Sequence, residues 1–122
     1  LMSHYFIYQL GLKKDLGKFL ENHVFGEWSI PWQGKVSVKG LDCVRAAITA
    51  VMRNDNMSKL LQDCIAFSGD VDTVATIALA AGSCSCEIAQ DIPKNLVQGL
   101  ENLSYGRDYI IELDRQLMNL IV

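Results

Sequence analysis

The chain has 122 residues, half of them apolar, and a formal net charge of −3 at pH 7. This length fits one domain with a hydrophobic core of its own, and the negative charge disfavours nucleic-acid binding through a general electrostatic footprint. The segment 1–12 is too short and too polar to span a membrane, and it lacks the features of a secretion signal. We therefore expect a cytoplasmic protein that binds neither nucleic acid nor membrane.

Apolar residues recur at helical spacing along the rest of the chain, and glycines and prolines interrupt them. Lys13, Lys14 and Lys18 alternate with acidic residues, which is typical of a solvated helix face. In the loop that follows, Trp28 and Trp32 either pin the loop to the core, the favoured interpretation, or stack on a nucleotide. No alternating strand pattern occurs, so the predicted fold class is all-α. The predicted elements are helices at 13–24, 41–53, 58 to about 69, 71–81 and 107–120, a loop at 25–39, and a helix start near Pro93.

The segment 68–76 is the most informative part of the sequence. Asp70, Asp72 and Thr73 bring two carboxylates and a hydroxyl to the point where a loop becomes a helix. Hard cations such as Mg²⁺ take oxygen ligands of this kind. The alternative is helix capping, with Asp70 as the N-cap and Asp72 favoured by the helix dipole. Capping is the commoner use of such residues, and the two roles can coexist.

This segment also carries a family resemblance. Gly-Asp-Val-Asp-Thr, followed by a helix rich in alanine, resembles the C-terminal motif of the ADP-ribosylglycohydrolases, the family of dinitrogenase-reductase-activating glycohydrolases and ADP-ribosyl-acceptor hydrolases. The segments 32–34 and 40–47 are similar to a family loop that leads into a helix, and 92–93 with 100–101 are similar to the family's tail. The resemblance thus covers nearly the whole chain.

The resemblance implies a fold, a reaction and a site. The fold would be the C-terminal half of a compact orthogonal helical array, and the enzyme would hold two Mg²⁺ ions in a central cleft. It would hydrolyse the glycosidic bond between ADP-ribose and an acceptor, on an ADP-ribosylated protein or a small ADP-ribosyl substrate. By position in the motif, the implied metal ligands are Asp70, Asp72 and Thr73, and the implied substrate-binding residues are Gly40, Cys43 and Gly69.

One departure from the family bears on catalysis. The family's other metal ligands lie in two N-terminal motifs, G-D-x-x-G and T-D-D, and neither occurs in this chain. We therefore expect residues 1–122 to form either one helical domain or the C-terminal fragment of a larger one. The alternative function is a catalytically incomplete helical module that packs against a partner, either the missing N-terminal half or a second copy. Its docking surface would be the apolar run with Tyr5, Phe6, Ile7 and Leu10.

The four cysteines do not match a zinc site, because only Cys84 and Cys86 are close in sequence and no second pair or histidine follows them. Cys43 and Cys64 stand among apolar residues and are predicted to be small core side chains. A chain with this much core does not need a disulfide framework.

Overall fold

The computed structural model describes residues 1–121, and within them the regular secondary structure is helical, with two isolated β-bridges and no strand. The prediction of an all-α fold is confirmed. The chain divides into two units at residues 91 and 92. The first unit contains α1 (Met2–Ile7), a 3₁₀ turn (Lys13–Asp15), α2 (Leu16–Glu21), α3 (Gly40–Arg53), α4 (Met57–Ala66) and α5 (Val71–Gly82), and the second contains α6 (Lys94–Gln98) and α7 (Arg107–Ile121).

Helix α5 is the centre of the first unit, where it packs against α1, α3 and α4. Ala78, Ala81 and Gly82 form part of its buried face, whereas Ala75 is only partly buried. These small side chains let the helices approach closely. A Cβ atom added at Gly82 would lie only 2.8 Å from Leu60 Cδ2 on α4. The close contact between α5 and α4 therefore depends on glycine at position 82.

The ends of α3 and α4 follow ordinary helix chemistry. Asp42 lies in the first turn of α3 and Arg53 in the last, where each charge opposes the helix dipole. The side-chain oxygen of Asn56 accepts a hydrogen bond of 2.9 Å from the backbone N–H of Lys59, so Asn56 caps α4. The predicted helices at 41–53 and 71–81 agree with the observed ones to within one residue at each end.

The predicted helix at 13–24 is wrong in part, because the chain forms a 3₁₀ turn and then a helix of only six residues. Lys13 is buried rather than solvated. Its Nζ donates to the carbonyl oxygen of Met52 at 3.0 Å and lies 3.1 Å from a carboxylate oxygen of Asp55. A lysine that meets both a helix-terminal carbonyl and a carboxylate can be buried without an unpaired charge. This contact ties the 3₁₀ turn to the end of α3.

The predicted apolar docking surface near the start of the chain is also wrong for two of its four residues. Tyr5 and Phe6 are buried in the core of the first unit, and the Tyr5 hydroxyl donates to the carbonyl oxygen of Leu12 at 2.7 Å. Ile7 and Leu10 remain exposed. The run therefore forms an amphipathic helix and the turn that follows it. One face of the helix is buried in the core, and the other is exposed.

The loop at 25–39 is confirmed as irregular, and its first indole anchors it. Trp28 is buried, with its Nε1–H donating to the carbonyl oxygen of Val24 at 3.1 Å, and the guanidinium of Arg45 lies over its ring. Trp32 is only partly buried. The favoured interpretation, that the indoles pin the loop, holds most clearly for Trp28.

The second unit has little core of its own. Neither α6 nor α7 buries a residue, and the apolar residues that recur at helical spacing along α7 are exposed, among them Ile110, Leu113, Leu117 and Leu120. Across residues 1–121, no helix combines the length and the apolar character needed to cross a bilayer.

Candidate functional site

Two backbone hydrogen bonds to Val36, in the loop at 25–39, hold the residues that precede α5. The backbone N–H of Val36 donates to the carbonyl oxygen of Ser68 at 3.1 Å, and the N–H of Asp70 donates to the carbonyl oxygen of Val36 at 3.2 Å. Ser68 and Gly69 are both left-handed, with φ of 62° and 86°. A Cβ atom at Gly69 would lie 2.0 Å from the oxygen of Val36, so this position requires glycine. The pairing delivers Asp70 to the start of the helix.

The three predicted metal ligands lie at the start of α5. Asp70 immediately precedes α5, and Asp72 and Thr73 lie in its first turn. Asp70 occupies the N-cap position of α5, so the capping role and the ligand role both stay predictions for this residue. The pKa of Asp70 lies below its ordinary value, first because of the side chain of Asp72 and second because of the Thr73 hydroxyl. The three predicted side chains therefore share one small volume.

Ser37 and Asp42, which the sequence analysis did not single out, lie close to Asp70. The Ser37 hydroxyl donates to a carboxylate oxygen of Asp42 at 2.5 Å and accepts from the N–H of Lys39 at 3.1 Å. The sulfur of Cys43 lies 3.5 Å from the carbonyl oxygen of Ser37 and 3.6 Å from Oδ2 of Asp70. A thiol has one hydrogen, so it donates to one of these oxygens at a time. Cys43 thus links the start of α3 to the start of α5.

Burial and the neighbouring charges make Cys43 a poor nucleophile. It is fully buried, and burial raises the pKa of its thiol, as do the hydrogen bond to Asp70 and the charges of Asp70 and Asp42. A neutral, inaccessible thiol is inert, because the thiolate is the reactive form. The predicted contact of Gly40, Cys43 and Gly69 with a substrate stays a prediction. Gly40 begins α3 with open space where a Cβ would stand.

The oxygen atoms of Asp70, Asp72 and Thr73 suit Mg²⁺ by their chemistry. Asp70 and Asp72 offer carboxylate oxygens and Thr73 a hydroxyl, all hard ligands of the kind that Mg²⁺ takes. Within residues 1–121, however, no group of three or more His, Cys, Asp or Glu side chains is arranged to hold a metal ion. The residues fit one side of such a site and do not complete it.

Three other aspartates that could have supplied further metal ligands are engaged elsewhere. Asp55 pairs with Lys13. Asp63 binds the guanidinium of Arg53 through both of its oxygens. Asp108 lies in the second unit, where it contacts a neighbouring arginine and Asn102. Asp42 is the acidic residue that stands with Asp70 around Cys43.

The prediction that Cys64 is a small core side chain is confirmed. All four are free thiols. Cys64 is buried like Cys43, and desolvation raises its pKa to about 11. Cys86 is exposed.

No family model, no curated protein and no solved structure matches this chain. The resemblance to the ADP-ribosylglycohydrolases therefore rests on the residues quoted above and on the position of Asp70, Asp72 and Thr73 in the fold.

Proposed function

We propose that this chain carries the C-terminal metal-binding motif of a Mg²⁺-dependent ADP-ribosylglycohydrolase, an enzyme that hydrolyses the glycosidic bond between ADP-ribose and an acceptor. The observation that carries the proposal is the convergence of Asp70, Asp72 and Thr73 at the start of α5. The proposal includes the family's orthogonal helical array as the fold type and an ADP-ribosylated protein or small ADP-ribosyl compound as substrate. Four free cysteines suit the cytoplasm, where thiols stay reduced.

The residues of this chain would act chiefly by binding and orienting. When bound, two Mg²⁺ ions supply an activated water and fix the ribose hydroxyls of the substrate. The pKa of Asp70 lies below its ordinary value, so its carboxylate is ionised at neutral pH and offers a charged oxygen. The hydroxyl of Thr73, in the first turn of α5, offers a neutral oxygen. Cys43, held neutral by burial, donates toward Asp70 and restrains the direction of its carboxylate.

A second candidate function is supported by a different observation. The chain lacks G-D-x-x-G and T-D-D, and α7 exposes a row of apolar side chains. A catalytically incomplete helical module that packs against a partner chain would have both properties. This candidate and the first one differ in what they predict for Mg²⁺, because a module without catalytic function has no need of the cation.

The test uses the chain as it stands, with Asp72→Ala and, as a matched control, Asp114→Ala in the exposed face of α7. Release of ADP-ribose from ADP-ribosylarginine and ADP-ribosylserine peptides is measured with Mg²⁺. We expect no turnover by any of the three proteins, because the site is incomplete. At a Mg²⁺ concentration equal to Kd, binding stabilises the folded state by about 0.4 kcal/mol. This raises the melting temperature by about 2 °C in the unmutated protein and the control.

Asp72→Ala should abolish that rise. An equal rise in all three proteins would refute a role for the motif in Mg²⁺ binding and favour the helical module. Turnover by the unmutated chain would refute the expectation that the site is incomplete, and Asp42 would then be the first residue to substitute. In a longer chain that carries all three motifs, Asp72→Ala should eliminate hydrolysis and leave the melting temperature nearly unchanged. A carboxylate in a first helical turn contributes only about 0.3–1 kcal/mol through the dipole.

A further inference from the structure

Two free cysteines, Cys84 and Cys86, follow the end of α5 and are separated by one residue. Cys86 is exposed and Cys84 is partly exposed, whereas Cys43 and Cys64 are buried. We propose that Cys84 and Cys86 form a reversible thiol–disulfide site, which a small disulfide such as glutathione disulfide oxidises. The inference goes beyond the proposed function and does not depend on Mg²⁺.

The residue between the two cysteines is turned toward the protein. Ser85 is buried, and its Oγ accepts a hydrogen bond of 3.2 Å from the backbone N–H of Glu87. The thiols on either side of Ser85 both keep access to solvent. Cα atoms two residues apart along a chain are separated by at most about 7 Å, and a disulfide joins Cα atoms about 4.4–6.8 Å apart. A bridge between Cys84 and Cys86 therefore needs only a local adjustment of the backbone.

Contacts on both sides of the cysteine pair confine that adjustment to the segment between them. Before the pair, Gly82 ends α5 and is buried. After the pair, the carboxylate of Glu87 accepts a hydrogen bond of 2.6 Å from the backbone N–H of Lys13, and Ile88 is buried. Oxidation should therefore leave the core in place. The ring that the bridge closes is small and lies at the surface, and strained or exposed disulfides are the ones that are readily reduced.

The more exposed thiol reacts first. The thiolate of Cys86 attacks one sulfur of glutathione disulfide, the S–S bond breaks, and a glutathione thiolate leaves and takes up a proton. Cys84 then attacks the Cys86 sulfur of this mixed disulfide and releases a second glutathione. The protein gives up two electrons and two protons, and one glutathione disulfide becomes two reduced glutathione molecules. Cys84 takes the second step because its Sγ is less accessible and lies 3.5 Å from the carbonyl oxygen of Ala80.

The other two thiols are unsuited to this exchange. Cys43 and Cys64 are buried, and burial raises the pKa of both, that of Cys64 to about 11. Exchange requires a thiolate that can reach the disulfide. The contrast in exposure thus restricts oxidation of the folded chain to Cys84 and Cys86.

The experiment treats the folded chain with glutathione disulfide, blocks the remaining thiols with N-ethylmaleimide, and locates each modification by mass spectrometry. The unmutated chain should lose two hydrogens, retain no glutathione, and carry no label on Cys84 or Cys86, and dithiothreitol should restore both labels. Cys84→Ser should stop at the mixed disulfide, with one glutathione on Cys86, because the second thiol is missing. Cys86→Ser should retain severalfold less glutathione. Ser83→Ala, a change in the exposed neighbour of Cys84, is the matched control and should form the bridge.

Several results would overturn the proposal. Glutathione retained on the unmutated chain, labels on both Cys84 and Cys86 after the treatment, or a disulfide that includes Cys43 or Cys64 would each do so. A large fall in melting temperature on oxidation would also contradict a bridge confined to the segment after α5. Asp72→Ala should form the bridge as the unmutated chain does, so the outcome is independent of the proposed hydrolase site.

Discussion

Gly69→Ala should destabilise the first unit more than an ordinary glycine substitution does. Gly69 has φ of +86°, and its Cβ would lie 2.0 Å from the oxygen of Val36. The left-handed backbone alone costs about 1–2 kcal/mol for a residue with a side chain. Moving Val36 away breaks the hydrogen bond from the Asp70 N–H and strains the one to Ser68, at about 1 kcal/mol each. Val36 is also buried, so the total should reach about 3–5 kcal/mol when lost packing is included.

The matched control is Gly34→Ala. Gly34 has nearly the same φ, +84°, but nothing lies within 4 Å of its Cβ position. This variant should lose only the conformational part, about 1–2 kcal/mol. Urea unfolding followed by circular dichroism measures both free energies of unfolding. If the two variants lose the same free energy, the pairing of Val36 with the start of α5 does not hold the site, and the reasoning fails.

Three other predictions concern stability, reactivity and assembly. Asp63→Asn should cost about 1 kcal/mol at pH 7. The pKa of Asp63 is lowered by Arg53, so the ion pair stabilises the protein fully above the ordinary carboxyl pKa of about 4, and acid unfolding should show the two proteins converging below it. Cys86 should react with a thiol reagent at pH 8 in the folded protein, and Cys64, with its pKa raised to about 11, only after denaturation. Analytical ultracentrifugation should show self-association through α7 that Leu117→Gln reduces severalfold, and a monomer at all concentrations would count against it.

The helices that the sequence predicts best are those whose apolar spacing and boundary residues agree. For α5, Gly69 ends the preceding segment, and apolar and small residues then recur at helical spacing. The start of the helix, and with it the place of Asp70, Asp72 and Thr73, therefore follows from local information. The same is true of α3 and of the irregular loop before it.

The parts that the sequence did not predict depend on contacts between distant segments. Ser37 joins the neighbourhood of Asp70 because Val36 pairs with Gly69, and Asp42 joins it because α3 packs against α5; no local pattern encodes either contact. Lys13 resembles any surface lysine until the end of α3 supplies a carbonyl and a carboxylate for it. In each case a polar residue takes its role from a partner that only the folded chain provides.

The central claim, that Asp70, Asp72 and Thr73 hold a divalent cation, is tested most directly by paramagnetic broadening. Substoichiometric Mn²⁺, which takes the same oxygen ligands as Mg²⁺, is added to the ¹⁵N-labelled chain and to Asp72→Asn. We predict that the amide signals of 69–74 and of the start of α3 broaden first, and that Asp72→Asn abolishes this effect. Broadening that is spread over the exposed carboxylates of α7, or that is identical in Asp72→Asn, would contradict the claim.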